Sequence, residues 1–165
     1  MSDQEVIVRR ATAADIPVLV ESAAGLFGED AGTRDPSVDT DWPREHGAAS
    51  FAAALGDPAR LVLVAESGGR VVGHLSGSVT AGTATRPVMS ATLVGIHVRA
   101  AHRRSGAGAR LVGAFADWAR EQGARQAEVT AYTDNTDALR FYERHGFGPH
   151  TTTLRRSLQP RRPAP

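Results

Sequence analysis

The 165-residue chain contains no cysteine and no lysine. The first absence excludes a disulfide framework, a thiolate zinc site and a cysteine nucleophile, and no metal is called for by what remains. The second removes every side-chain amine, and GC-biased codon usage accounts for it. Long apolar runs are also missing. The longest aliphatic stretch, Leu61 to Ala65, cannot span a bilayer, and the start, Met1 to Glu5, is polar and acidic. A cytoplasmic protein with no membrane partner is expected. Formal net charge is only +1, without a basic stripe interleaved with aromatics, so no nucleic-acid partner is expected either.

What is present suits a globular fold: 41% hydrophobic and 22% charged residues lie far from the composition of disordered chains. No repeat or linker divides the sequence, so residues 1–158 read as one domain. The tail 159–165, with three prolines and two arginines, reads as disordered. Glu5 to Arg9 alternates as a strand. Thr12 or Asp15 then caps a helix whose apolar face is Ile16, Leu19, Val20, Ala23 and Phe27. Gly28 to Glu45 reads as an acidic loop, and Pro43 to Leu55 as a short helix. Arg60 to Ser67 and Arg70 to Thr80 form a hairpin around Gly68-Gly69, and Ser90 to Val98 is the next, buried strand. A helix ending near Gln122 faces inward through Leu111, Phe115, Trp118 and Ala119. A strand over Gln126–Tyr132, a helix over Thr136–Arg144 and a last strand over Thr151–Ser157 complete the order. The fold class is α/β, with a mixed, mostly antiparallel central sheet flanked by helices.

The run Arg103, Arg104, Ser105, Gly106, Ala107, Gly108, Ala109 follows a buried strand and opens a helix. Amides at a helix start lack internal partners and sit at the positive end of the helix dipole, so this loop can hold a phosphate without lysine. It can equally be a tight strand-to-helix turn. The lysine-containing P-loop and the three-glycine dinucleotide pattern are both excluded.

A second element follows, Asn135 to Phe147. Asn135, Ala138 and Tyr142 share one helix face, with Asn135 and Tyr142 roughly 10 Å apart along the axis. Read piece by piece, Asn135 is a helix cap, Tyr142 a core aromatic and Gly146-Phe147 a stop signal. Taken together, the two elements resemble the GCN5-related N-acetyltransferase superfamily. Its loop is matched by Arg103, Gly106 and Gly108, and its later signature by Asn135, Ala138, Tyr142, Gly146 and Phe147.

The resemblance implies a GNAT-like acyl-CoA N-acyltransferase fold over Glu5 to about Leu158, with acetyl-CoA as acyl donor. It places the pyrophosphate on Arg103 to Ala109, the pantetheine arm along Ile96, His97 and Val98, and the rest of the donor beside Asn135, Ala138 and Tyr142. The strand at Ile96–Val98 would splay from the one at Ala127–Tyr132, with a bulge at Gly95. Tyr142 matches the proton donor to the departing thiolate. The family's strand glutamate is missing from Ser90–Val98, which leaves His97 as the candidate base, with His74, His46, Glu29 and Asp30 behind it. The acceptor region implied is the acidic segment, where Glu29, Asp30 and Trp42 are candidate contacts to a small, cationic amine. The alternatives are acetylation of a peptide or protein N-terminus and a non-catalytic acyl-CoA sensor. Family habit implies a homodimer.

Overall fold

The computed structural model describes residues 4–159. Its five strands lie side by side in chain order: β1 (Val6–Arg10), β2 (Arg60–Ser67), β3 (Arg70–Thr80), β4 (Ser90–Val98) and β5 (Gln126–Val129). Neighbours from β1 to β4 are antiparallel, and β4 with β5 is parallel. Three helices, α1 (Ile16–Glu29), α2 (Ala31–Arg34) and α3 (Trp42–Leu55), lie between β1 and β2. Helix α4 (Ala107–Glu121) makes the crossover that a parallel β4–β5 pair needs, and α5 (Thr136–Arg144) follows β5. The architecture is the mixed, mostly antiparallel sheet flanked by helices that the sequence leads one to expect. No helix of the described residues is long and apolar enough to cross a membrane.

Alternation along β2 builds a core on each face of the sheet. Leu61, Leu63 and Ala65 join the cluster under α4, while Val62 and Val64 join the one under α1 and α3. Helix α4 contributes Leu111, Phe115, Trp118 and Ala119, all buried as its periodicity predicts. Phe115 reaches the sheet only because position 77 is glycine: a Cβ there would lie 2.9 Å from the ring. The β2–β3 hairpin closes on Gly68 and Gly69 at φ +59° and +74°, the positive-φ pair of a two-residue turn.

The entry to α1 is clamped from the sheet. Arg9 donates to both carboxylate oxygens of Asp15, at 2.8 and 2.9 Å, and to Glu66 at 2.7 Å. Asp15 in turn accepts the Thr12 N–H at 2.7 Å. The guanidinium contact holds the Asp15 carboxyl down at about 2, so it is charged at neutral pH. This clamp sets where α1 starts, and thus which of its residues reach β3 and β4.

Three expectations are corrected. The acidic segment is not one loop: α1 runs through Glu29, α2 occupies Ala31–Arg34, and α3 begins at Trp42. Strand β5 ends at Val129 rather than Tyr132, because its pairing with β4 stops at Leu93, just before β4 bulges. Thr151–Ser157 forms no strand. Threonine suits strands, but strand formation rests on burying side chains, and one face of this segment carries no apolar residue at all. On its other face Leu154 is 90% exposed, and just beyond it Leu158 is 85% exposed. Of the tail expected to be disordered, residues 160–165 lie outside the described residues.

Because Phe115 has no exposed surface and meets backbone across the sheet, Phe115→Ala should destabilise the protein by about 3–5 kcal/mol. Urea unfolding checks this; a loss below about 1 kcal/mol would contradict the central place given to this ring.

Candidate active site

Strand β4 carries one residue more than β3 allows. Ser76 pairs with Gly95 and Gly77 with Leu93, which leaves Val94 unpaired and 66% exposed. The extra residue reverses the alternation. Before it, Ala91 and Leu93 point toward α4; after it, Ile96 and Val98 take that side, and Gly95 and His97 face α1. The bulge falls at Val94, one residue before the expected Gly95. A Cβ on Gly95 would stand 3.2 Å from Leu26, so this glycine serves the close approach of α1. Pairing with β5 ends at Leu93–Val129, and among the described residues the β5-facing edge of Val94–Val98 has no strand partner. An extended, amide-bearing ligand arm can add there as an extra strand.

On the α1 face, His97 is held in a chain of polar groups. Ser22 Oγ lies 2.6 Å from His74 Nδ1 and 3.2 Å from His97 Nδ1. His97 Nε2 lies 3.4 Å from Glu29 Oε1. The other Glu29 oxygen accepts a close hydrogen bond from Arg103, whose Nε donates to the Val98 carbonyl at 2.8 Å. His74 and His97 are directly opposed in the β3–β4 register, so they share a face by construction. Gly25 makes the fit: a Cβ there would come 3.0 Å from the His97 ring. The chain runs from a fully buried imidazole to a carboxylate with half its side-chain surface in solvent (50%).

Burial pushes His74 down to about 3, helped by the nearby His97, so it is neutral. Burial also lowers His97. The hydrogen bond and charge of Glu29 oppose that, Arg103 and Arg99 add to it, and the net direction is downward. For Glu29, burial pushes up, but the hydrogen bonds from Arg103 and His97 prevail and hold it below the usual carboxylate range. At neutral pH, His97 is a neutral imidazole beside an ionised carboxylate, which is the state a proton acceptor requires.

The glycine loop lies at the end of this edge. Gly106 caps α4 at φ +84° and Arg104 takes φ +67°. The first helical bond runs from Arg110 N–H to the Gly106 carbonyl at 3.0 Å, so the amides of Ala107, Gly108 and Ala109 precede the ladder. These amides fit an anionic group without any lysine. The two glycines differ in purpose: Gly106 supplies positive φ, while Gly108 makes room for Phe141, whose ring a Cβ would approach to 3.1 Å. Ser105 Oγ donates to the His102 carbonyl at 2.6 Å.

Asn135 caps α5. Its Oδ1 accepts from Ala138 N–H at 3.2 Å, and its Nδ2 donates to Asp30 Oδ1 at 2.9 Å. Asp30 also pairs with Arg34, and Asp35 with Arg155, both close to 3 Å. With Glu29 on Arg103, three of the segment's six acids are thus in arginine pairs, and Asp39, Asp41 and Glu45 remain. Burial, then the charge of Asp30, pushes the Tyr142 phenol up to about 12, so it keeps its proton. Its ring packs against Phe141 and Phe147. Trp42 stacks on Phe27 at 6.4 Å and is still 40% exposed, so one face packs while the rest stays accessible. His46 tilts against Trp42 on the exposed side of α3 and takes no part in the hydrogen bonds of the His97 chain.

Sequence reasoning missed Ser22. A signal was present: Ser22, Gly25 and Glu29 fall three and four residues apart on one helical face, a hydroxyl and a carboxylate within an apolar run.

The acetyltransferase (GNAT) family model matches residues 28–147. Among solved structures, a transcriptional regulator from Bacillus halodurans C-125 is similar with a TM-score of 0.73 at 26% identity, covering 93% of this chain and 100% of that one. An aminoglycoside N-acetyltransferase, AAC(6')-Iy in complex with CoA, has the same fold with a TM-score of 0.71 at 18% identity, covering 94% and 97%. Glucosamine-6-phosphate N-acetyltransferase from Arabidopsis thaliana does so with a TM-score of 0.68 at 14% identity, covering 94% and 100%. No curated protein sequence matches the chain.

The two lowered histidines also bear on stability. The unfolded chain binds protons near pH ~6.5 that the folded chain refuses. Their contribution is therefore complete above that value and is lost as pH falls toward the folded values. Between about pH 6.5 and 4.5, before carboxylates titrate, unfolding free energy should fall by up to about 1.4 kcal/mol per pH unit for each histidine. Urea unfolding across this window checks it, with His74→Phe expected to flatten the slope. Equal stability at both ends would contradict the burial of neutral imidazoles.

Proposed function

The chain belongs to the acetyltransferase (GNAT) family, and from that premise we propose that it moves the acetyl group of acetyl-CoA directly onto the primary amine of a small, cationic molecule within a ternary complex. The observation that carries this reading is the bulge at Val94, which frees the β4 edge toward the glycine loop and turns His97 onto Glu29 beside it.

The chemistry sets two requirements. A primary amine is neutral in only about one part in 2,500 near pH 7, which left unassisted adds roughly 4–5 kcal/mol to the barrier. The departing thiolate must in turn be protonated or stabilised. His97 serves the first: its neutral imidazole takes the amine proton, and the Glu29 carboxylate stabilises the imidazolium that forms. Tyr142 serves the second, as a phenol that keeps its proton and donates a hydrogen bond that stabilises the departing sulfur. The acetyl donor supplies the activated thioester. In this reading the amides of Ala107–Ala109 and the side chains of Arg103 and Arg104 hold its phosphates, and Asn135 and Ala138 its extended arm.

Two neighbours in fold are named for amino-sugar substrates of opposite charge, one an aminoglycoside and one a sugar phosphate. For this chain, Asp39, Asp41 and Glu45 around the partly exposed Trp42 favour a cationic acceptor. The internal pairing of Glu29 and Asp30 makes them a weaker lure than their number suggests.

Thiol release from acetyl-CoA over a panel of aminoglycosides, amino sugars, polyamines, amino acids and peptides tests the proposal. Turnover on a cationic amine is expected, with kcat reduced about tenfold or more in Tyr142→Phe. Preference for peptide N-termini would move the function to peptide acetylation. Tight coenzyme binding without turnover on any amine would move it to an acyl-CoA sensor.

A further inference from the structure

We propose that Arg103 couples the donor site to the base: its contacts to Glu29 and to the Val98 carbonyl compete with the donor's phosphates and arm, so that donor binding releases Glu29 to His97 and strengthens the base. The inference rests on the acetyl-transfer reading, which gives Arg103 its second partner.

The register of the sheet shows what Arg103 covers. The Arg99 N–H donates to the Val72 carbonyl across the β3–β4 ladder at 2.8 Å, so by alternation the backbone groups of Val98 point the opposite way, to the open edge. Arg103 Nε donates to the Val98 carbonyl at 2.8 Å. An amide-bearing arm added along Ile96–Val98 needs that acceptor for itself. At the other end of the same guanidinium, Nη2 makes the close bond to Glu29. Both side chains are about half in solvent, 46% and 50%, so the pair is within reach of a competitor and individually weak. The phosphates of a donor offer Arg103 several anionic oxygens in place of one, and its side chain cannot hold Glu29, Val98 and a phosphate group with the same N–H bonds.

Releasing Glu29 changes the surroundings of His97. The charged and titratable groups that face this ring are Glu29 from α1, His74 from β3, and Arg99 and Arg103 from the segment after β4. Glu29 is divided between two partners. One oxygen takes Arg103, and the other accepts from His97 Nε2 at 3.4 Å, longer than a charge-assisted bond of about 2.7–2.9 Å. When Arg103 turns to a phosphate, His97 loses a nearby positive charge and keeps an undivided carboxylate. Both changes favour the protonated ring, so its pKa moves up from below the ordinary histidine value toward ambient pH, where a proton acceptor is most effective. His74 is buried and neutral and adds no charge that could offset this. The base is thereby strongest when the acyl donor is at hand.

Calorimetric titration of the whole protein with coenzyme A tests this coupling without any acceptor. Glu29→Gln frees Arg103 and should tighten coenzyme A binding about threefold or more, a gain that a damaged fold cannot imitate. Arg103→Met should weaken binding, and in that background Glu29→Gln should have no further effect. In proton–nitrogen spectra of histidine-labelled protein, coenzyme A should raise the proton affinity of His97 about threefold or more in the wild type and not in Glu29→Gln. The proposal is overturned if Glu29→Gln leaves coenzyme A affinity unchanged or lowers it, if its gain survives in the Arg103→Met background, or if Arg103→Met binds as well as the wild type. It is equally overturned if His97 ignores coenzyme A or responds to the same extent in Glu29→Gln. The expected pattern in a protein that turns over no amine would uphold the coupling and count against acetyl transfer. A wild type that binds no coenzyme A would remove both.

Discussion

One extra residue in β4 organises this molecule. Without the bulge at Val94, strict alternation would put His97 on the same face as Ala91 and Leu93, inside the apolar cluster under α4. With it, the same strand fills the α4 core before position 94, serves the α1 face after it, and parts from β5 at the point of change. A buried core, a polar face and an open sheet edge thus come from nine consecutive residues. The glycines around the bulge follow from it. Gly77 admits Phe115 from one side, and Gly95 and Gly25 admit Leu26 and the His97 ring on the other.

The charged groups knit this centre to the outer elements. Arg9 clamps the start of α1 through Asp15, and the end of α1 meets the glycine loop through Glu29 and Arg103. Asp30 ties the same end to the cap of α5 through Asn135, and Asp35 holds the chain after α5 through Arg155. Singly, exposed pairs of this kind contribute on the order of 0–1 kcal/mol, so their role is registration more than stability. The pair between Glu29 and Arg103 differs in kind, because it joins the His97 chain to the arginine that begins the glycine loop. A charge change at either end is felt at the other.

Much of the fold was legible in the sequence because its signals are local. Gly68-Gly69 between two apolar runs, the Leu111–Phe115–Trp118 face and the glycine loop all report structure within a few residues of themselves. Strand ends were less legible. Val129 ends β5 because of what β4 does across the sheet, and Thr151–Ser157 stays out of the sheet despite its threonines because strand formation rests on burial against a partner. The acidic segment misled in the same way: Asp30–Arg34 is a local i,i+4 pair, but Glu29 and Asp35 pair with Arg103 and Arg155, which no local pattern couples to it. His97 could be named as a candidate, but its direction could not, since alternation alone does not reveal a bulge. Ser22 escaped notice because a serine in an apolar helix carries no signature until the strand opposite it is known.

The proposed acetyl transfer depends on His97 as the proton acceptor. The measurement that tests it most directly is the pH dependence of kcat/KM for the best amine, in the wild type and in His97→Gln. The wild type should lose activity as pH falls through an ionisation below the ordinary histidine value, since the imidazole must be neutral to act. That limb should vanish in His97→Gln, with a lower rate throughout. A variant that keeps both the limb and the rate of the wild type would contradict the assignment.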